Sequence, residues 1–142
     1  GRLRELLKDR KDIRVEGDRF VFQSEVLFPS GSADMNVEGL AALDELAKAI
    51  LELEKSIPTE INWALQVDGH TDVRPIASAA FPSNWHLSTA RAISVVRYLI
   101  SRGVTATRLI AAGHGEFNPL DTGTSEEALR RNRRIELKLT NR

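Results

Sequence analysis

Apolar and polar residues alternate with the period of a β-strand in several segments of the chain. The segment 61–67, INWALQV, places an apolar side chain at every second position, which predicts a strand with one buried face. Similar alternation predicts a strand at 134–140, and a further short strand is expected at 108–112, RLIAA, ahead of Gly113. The segment 13–22 alternates around Gly17, a residue that tolerates a turn, so a β-hairpin and a kinked strand are both open there.

Two longer segments have apolar residues at helical spacing. The first runs from Asn36 to about Lys55, and the second from about Asn84 to Arg102. A short third helix is expected to begin at Ser125, with acidic residues in its first turn. The order β-α-β-α-β-α-β predicts an α/β (α+β) sandwich, in which a mixed four-stranded sheet carries helices on one face.

Composition excludes several functions. The 142 residues carry a formal net charge of zero, so no overall field attracts nucleic acid or an anionic membrane. There is no cysteine, which excludes thiol catalysis and zinc–thiolate sites. The chain begins GRLRELLKDR, without a start methionine. We interpret it as a fragment, with residues 1–19 leading into a domain at 20–142 and a membrane anchor or motor-facing segment upstream.

The segment 67–76, VDGHTDVRPI, is the first candidate for a functional site. A metal site on His70 and Asp72 would need a further ligand such as His86, His114 or a carboxylate, and a hydrolase would need a nucleophile beside a base. Neither motif is evident in the sequence. In the simplest alternative, Asp72 caps a turn and His70 donates to a backbone carbonyl.

Four blocks in order resemble the OmpA-like peptidoglycan-binding domain over residues 20–140. They are GHTD (69–72), FPSNWHLSTARAISVVRYLISRGV (81–104), RLIAAGHGEFNP (108–119) and NRRIEL (132–137). The insert containing FPSNW and the segment LFPSGSADMN (27–36) are similar to the MotB-type flagellar stator branch. The chain departs from the family where Ala128 and Leu129 replace the usual Gly-Arg pair.

The resemblance implies a binding site for meso-diaminopimelate in the peptidoglycan stem peptide. Its ligand-binding residues would be Asp72, Arg91, Asn84, Thr71 and Arg133, supported by His70, Trp85 and Leu87. The side chain of Asp72 would accept from the ligand's ammonium group, and that of Arg91 would bind its carboxylate.

Several roles within this site stay open. Arg91 would alternatively form a structural salt bridge with Asp72. Arg133 and Arg134 alternate, so we expect one at the site and the other, Arg134, in solvent. His70 is expected to orient the loop, and Trp85 either to touch the glycan or to pack beneath the loop.

The resemblance also implies a non-enzymatic function without cofactor or metal. We expect a periplasmic domain of an inner-membrane-anchored protein of a Gram-negative bacterium, which dimerises, binds the cell wall and does not bind nucleic acid. The alternatives are an OmpA-family lipoprotein or porin-linked anchor and, in another class, a periplasmic metal-dependent hydrolase using His70 and Asp72.

Overall fold

The structure, a computed structural model, describes residues 13–16, 19–76 and 78–142. Its strands are β1 (Ile13–Glu16), β2 (Arg19–Gln23), β3 (Trp63–His70), β4 (Leu109–Gly113) and β5 (Arg134–Asn141). They form one sheet in the order β1-β2-β5-β3-β4, in which only β3 and β4 are parallel. The predicted mixed sheet is confirmed. The antiparallel pairing of β1 with β2 selects the hairpin alternative and adds a fifth strand at the edge.

Among the described residues, four α-helices connect the strands. They are α1 (Ser24–Leu27), α2 (Val37–Ser56), α3 (Asn84–Ser101) and α4 (Glu126–Asn132). The two helices expected from the apolar spacing correspond to α2 and α3, and the one expected from Ser125 and its acidic first turn corresponds to α4. The single turn of α1 is too short for the spacing to predict. The side chain of Ser125 accepts from the N–H of Ala128, which explains why α4 begins there.

The hydrophobic core lies between one face of the sheet and the two long helices. Its largest side chains come alternately from the strands and at helical spacing from α2 and α3. They include Phe20, Phe22, Leu65, Val67, Ile135 and Leu137 from the sheet, with Leu43, Leu46, Ile50, Val95 and Leu99 from the helices. Burial of these apolar surfaces is the main driving force that holds α3 against the sheet.

The opposite face of the sheet carries a buried polar cluster. His70, Arg134 and Glu136 are 2%, 1% and 2% exposed. Arg134 donates to the Glu136 carboxylate and to the carbonyls of Asn132 and Asn118. The expectation that Arg134 lies in solvent is therefore wrong, because these acceptors satisfy its guanidinium inside the protein.

Two glycines allow α3 to approach the sheet unusually closely. Gly69 and Gly113 are partners on the parallel strands β3 and β4. A Cβ atom at Gly69 would lie 2.2 Å from the carbonyl oxygen of Ser88, and one at Gly113 would lie 2.0 Å from the Oγ1 of Thr89. Both positions therefore require glycine. The first turns of α3 consequently rest on the ends of the two strands, beside the loop that follows β3.

Candidate functional site

A pocket of about 450 Å³ opens where the loop after β3 meets the first turns of α3. Its lining includes every residue predicted to bind ligand, namely Thr71, Asp72, Asn84, Arg91 and Arg133, together with Leu87. The remaining lining residues are Glu25, Phe28, Ser30, Gly31, Arg74, Pro75 and Ile76. His70 and Trp85, predicted as supporting residues, do not line it.

Asp72 is the buried acidic residue of the pocket, with 5% of its surface exposed. Its Oδ2 accepts from Arg74 at 2.7 and 3.1 Å and from Arg133 at 2.8 Å, while its Oδ1 accepts from the Arg74 N–H at 2.9 Å. Burial alone would raise the pKa of Asp72, but the hydrogen bonds from Arg74 and Arg133 outweigh it and lower the pKa. The carboxylate is therefore ionised at neutral pH. Asp72 caps the turn through Oδ1, as in the turn-capping alternative, and it also pairs with two arginines through Oδ2.

Arg91 supplies a buried guanidinium on the other side of the pocket. It is 4% exposed, its Nε donates to the Ser32 carbonyl at 2.8 Å, and its Nη2 donates to the Pro29 carbonyl at 3.1 Å. The guanidinium carbon also lies 5.2 Å from the centroid of the Phe28 ring. Burial lowers the pKa of Arg91 to about 10, so the group remains charged at neutral pH.

The expected alternative of an Arg91–Asp72 salt bridge is wrong. Within the ranges that the structure describes, no carboxylate lies within 4.0 Å of the Arg91 guanidinium, and its Nη1 makes no hydrogen bond. The charge of Glu25, which also lines the pocket, partly opposes the lowering of the Arg91 pKa by burial, but this carboxylate is paired with Arg133 rather than with Arg91. A charged donor without an ion pair of its own is suited to binding an anion.

Asn84 and Thr71 hold the loop that carries Asp72. Asn84 Nδ2 donates to the Arg74 carbonyl at 3.0 Å and to Glu116 Oε1 at 3.3 Å. The hydroxyl of Thr71 donates to the Asp72 carbonyl at 2.9 Å. These bonds connect the start of α3 to the loop backbone, so the two residues position the carboxylate as well as lining the pocket.

Arg133 enters the pocket from the junction of α4 and β5. Its Nη1 donates to Asp72, and its Nε donates to Glu25 Oε1 at 2.7 Å. The carbonyl of Arg133 accepts from the N–H of Ser24 at 3.0 Å, which fixes the junction against α1. Of the two adjacent arginines, only Arg133 lines the pocket. The partners Glu25 and Arg74 were not predicted.

His70 lies in the polar cluster on the other face of the sheet. Its ring stacks on His114, with centroids 4.5 Å apart, and neither ring nitrogen has a hydrogen-bond partner. The expected bond to a backbone carbonyl is therefore absent from the described structure. Burial, and next the charge of Arg134, lower the pKa of His70 to about 3. His70 is the last residue of β3, and its side chain does not line the pocket.

We expect His70 to make folding stability depend on pH. Its pKa is about 3 in the folded state and 6.5 in a model peptide, so between these values only the unfolded chain takes up the proton. Stability should consequently fall as pH drops below 6.5, by about 2 kcal/mol at pH 5. Urea unfolding of His70→Phe should show a smaller difference between pH 7 and pH 5.

The exposed His86 provides the matched control. We expect His86→Phe to keep the wild-type loss of stability between pH 7 and pH 5. If His70→Phe lost as much stability between pH 7 and pH 5 as the wild type does, the pH dependence would not come from His70. The pKa values of Asp72 and Glu136 are both lowered, so these carboxylates stay ionised in this range.

Metal ligation finds no support in the geometry of the described residues. No group of three or more His, Cys, Asp or Glu side chains in this part of the chain is arranged to hold a metal ion. His86 contacts Ser83 through Nδ1 at 2.7 Å, and His114 contacts Asp68 through Nε2 at 2.8 Å. Among the described helices, none combines the length and the apolar character that crossing a membrane requires.

Comparison with known proteins identifies relatives of both fold and sequence. Motility protein B of Bacillus subtilis is 32% identical over 86% of this chain and 44% of its own length. A structure of a putative MotB-like protein from Desulfovibrio vulgaris is similar with a TM-score of 0.84 and 30% identity, covering 99% of this chain and 90% of that one. The cell wall anchor of the T6SS from Pseudomonas aeruginosa gives 0.83 and 34%, covering 99% and 98%.

The similarity extends over most of this chain and part of its relatives. The chain spans less than half the length of the first curated relatives it matches. Residues 27–133 match the sequence profile of the OmpA family. This range contains every lining residue of the pocket except Glu25. The resemblance drawn from the four sequence blocks is confirmed, and the chain belongs to the OmpA family.

Proposed function

We propose that this domain binds the peptidoglycan stem peptide through its meso-diaminopimelate residue and thereby anchors its parent protein to the cell wall. One observation carries the proposal. A buried carboxylate, Asp72, and a buried guanidinium without an anionic partner, Arg91, line the same pocket of about 450 Å³. The described similarity to a cell wall anchor supports the same function.

The ligand's charges match those of the pocket. The distal carbon of diaminopimelate carries an ammonium group and a carboxylate. In the proposed complex, Asp72 accepts from the ammonium, while the Nη1 of Arg91 donates to the carboxylate. Charge-assisted hydrogen bonds of this kind are about twice as strong as neutral ones and fix the orientation of the ligand.

Arg74 occupies the ammonium position when the pocket is empty. Its guanidinium bonds to Asp72 Oδ2, and its side chain is 54% exposed. Only the Arg74 end of this ion pair is exposed, so water can hydrate the guanidinium once it leaves Asp72, whereas the buried carboxylate needs a new cation. In the proposed complex the ligand's ammonium takes the place of the Arg74 guanidinium on Oδ2, while the Arg74 N–H stays on Oδ1 and holds the turn.

The pocket favours binding without chemistry. Ser30 and Thr71 supply its hydroxyl groups, but no histidine lines it to serve as their general base. Asp72 is held as an ionised carboxylate by two arginines, which makes it a poor proton acceptor. These features favour a binding module over the hydrolase alternative.

The parent protein is proposed to be a membrane-anchored protein of the stator type, with this domain in the periplasm. The support is the FPSNW insert and the similarity to Motility protein B. Two copies in a homodimer would bind two stem peptides and increase the effective affinity for the wall. A lipoprotein or another wall anchor would use the same pocket.

Cosedimentation with purified sacculi tests the proposal. We expect the domain to pellet with sacculi that contain diaminopimelate, and a free tripeptide ending in diaminopimelate to release it. Sacculi with lysine at this position should retain much less protein. Equal binding to both kinds, or failure of the tripeptide to compete, would reject the proposed ligand. Release of soluble muropeptides would support the hydrolase.

A further inference from the structure

Two large aromatic side chains lie exposed next to the pocket. Trp85 is 51% exposed and Phe117 is 63% exposed. Their rings stack, with centroids 5.0 Å apart and planes inclined by 25°. Two stacked and exposed aromatic rings beside a pocket form a small apolar surface on which a ligand can pack. We call Trp85 and Phe117 the aromatic pair.

The backbone beneath the aromatic pair is fixed. Gly115 has a φ of 61°, and its N–H donates to the Ser88 hydroxyl at 3.0 Å. A Cβ at Gly115 would lie 3.5 Å from the Trp85 ring and 3.4 Å from the Phe117 ring. The rings therefore flank this glycine, and the N–H of Phe117 donates to the His114 carbonyl at 3.3 Å. These contacts fix the backbone segment 114–117, which places the Phe117 ring beside that of Trp85.

The aromatic pair continues the rim of the pocket. Trp85 directly follows Asn84, which lines the pocket, and Phe117 directly follows Glu116. Asn84 Nδ2 donates to Glu116 Oε1 at 3.3 Å, which joins the two segments. A molecule that extends from the pocket past Asn84 and Glu116 can therefore reach these two rings.

We propose that the aromatic pair binds the sugar ring to which the stem peptide is attached, an N-acetylated aminosugar of the glycan strand. This inference rests on the proposed function. A pyranose ring has an apolar face of C–H groups that packs on an aromatic ring. Diaminopimelate is the third residue of the stem peptide. The backbone of three residues spans about 10 Å when extended, and the diaminopimelate side chain adds to this, so the sugar is within reach of the pocket's rim.

Area favours a sugar over a protein partner. An aromatic side chain buries roughly 150–250 Å² when fully covered. Two half-exposed rings therefore offer about 200 Å², whereas a stable protein interface needs roughly 800 Å² per partner. The available surface corresponds to one or two sugar rings.

Calorimetry with two soluble ligands tests the inference. The ligands are the diaminopimelate tripeptide and the same tripeptide attached to its disaccharide. We expect the disaccharide to increase wild-type affinity about tenfold, since it covers apolar ring surface. Trp85→Ala and Phe117→Ala should lose most of that increase, and Trp85→Phe should keep part of it. All three should bind the free tripeptide as the wild type does.

The outcomes separate this inference from the proposed function. If the wild type binds both ligands equally, the aromatic pair does not bind sugar, although the tripeptide result still supports the pocket. If the wild type binds neither ligand, both proposals fail. If Trp85→Ala keeps the preference for the disaccharide but changes the sedimenting mass, the pair is instead a contact between copies. Thermal unfolding of each variant verifies that it folds.

Discussion

Replacing Asp72 with Asn is expected to weaken binding of the diaminopimelate tripeptide roughly 100-fold, because a buried charged contact is lost. The neutral amide cannot pair with the ligand's ammonium. It also leaves the guanidinium groups of Arg74 and Arg133 beside the site without their shared carboxylate, so the ligand's ammonium is repelled. The amide oxygen can still accept from the Arg74 N–H, and the turn should therefore persist.

Asp121 offers a matched control for this change. Its Oδ1 accepts from the N–H of Gly123 at 2.8 Å, two residues later, and its Oδ2 contacts Arg131 at 3.4 Å. This repeats the turn and the ion pair of Asp72 outside the pocket. Asp121→Asn should bind the tripeptide with wild-type affinity in calorimetry. Wild-type affinity in a folded Asp72→Asn variant would show that the site lies elsewhere.

Local patterns in the sequence predicted the fold well because the elements are regular. Alternation located β3 and β5, and helical spacing located α2 and α3. Alternation also shows which residues share a face of the sheet, but not whether the rest of the protein buries that face. Arg134 was for this reason placed in solvent, although the structure buries it with Glu136. The paired glycines Gly69 and Gly113 act through a tertiary contact that no local pattern reveals.

The resemblance predicted the residues that bind ligand, but not the side chains and carbonyls that bond to Asp72 and Arg91 and hold them in place. Arg74 could have been expected from its position two residues after Asp72, where an aspartate commonly accepts from the backbone. The partners of Arg91 are carbonyls at Pro29 and Ser32, some 60 positions earlier, and Glu25 comes from the unpredicted helix α1. Such contacts depend on how distant segments pack, so spacing alone does not indicate them.

The preference of the site for a ligand with a distal carboxylate should depend on Arg91. A lysine tripeptide keeps the distal ammonium and lacks the distal carboxylate, so it leaves the buried guanidinium unpaired. We expect the wild type to prefer the diaminopimelate tripeptide by about 100-fold, since a site built for a hydrogen-bonding group strongly rejects a ligand without it. Arg91→Gln should bind the two peptides about equally, with most of the change in the diaminopimelate affinity.

Arg108 provides a control that distinguishes the role of Arg91 in binding from its role in stability. Its Nη1 donates to the carbonyls of Trp63 at 2.9 Å and Ile61 at 3.2 Å, and its guanidinium lies 4.7 Å from the Trp63 ring centroid. Arg91 likewise contacts two carbonyls and one aromatic ring. Each Arg→Gln change should lower the free energy of unfolding by about 1–3 kcal/mol. Of the two variants, only Arg91→Gln should lose the preference for diaminopimelate over lysine in calorimetry, because Arg91 lines the pocket and Arg108 does not. If Arg91→Gln retained that preference, the guanidinium would serve only to hold the loop at 29–32, and the carboxylate would bind another donor.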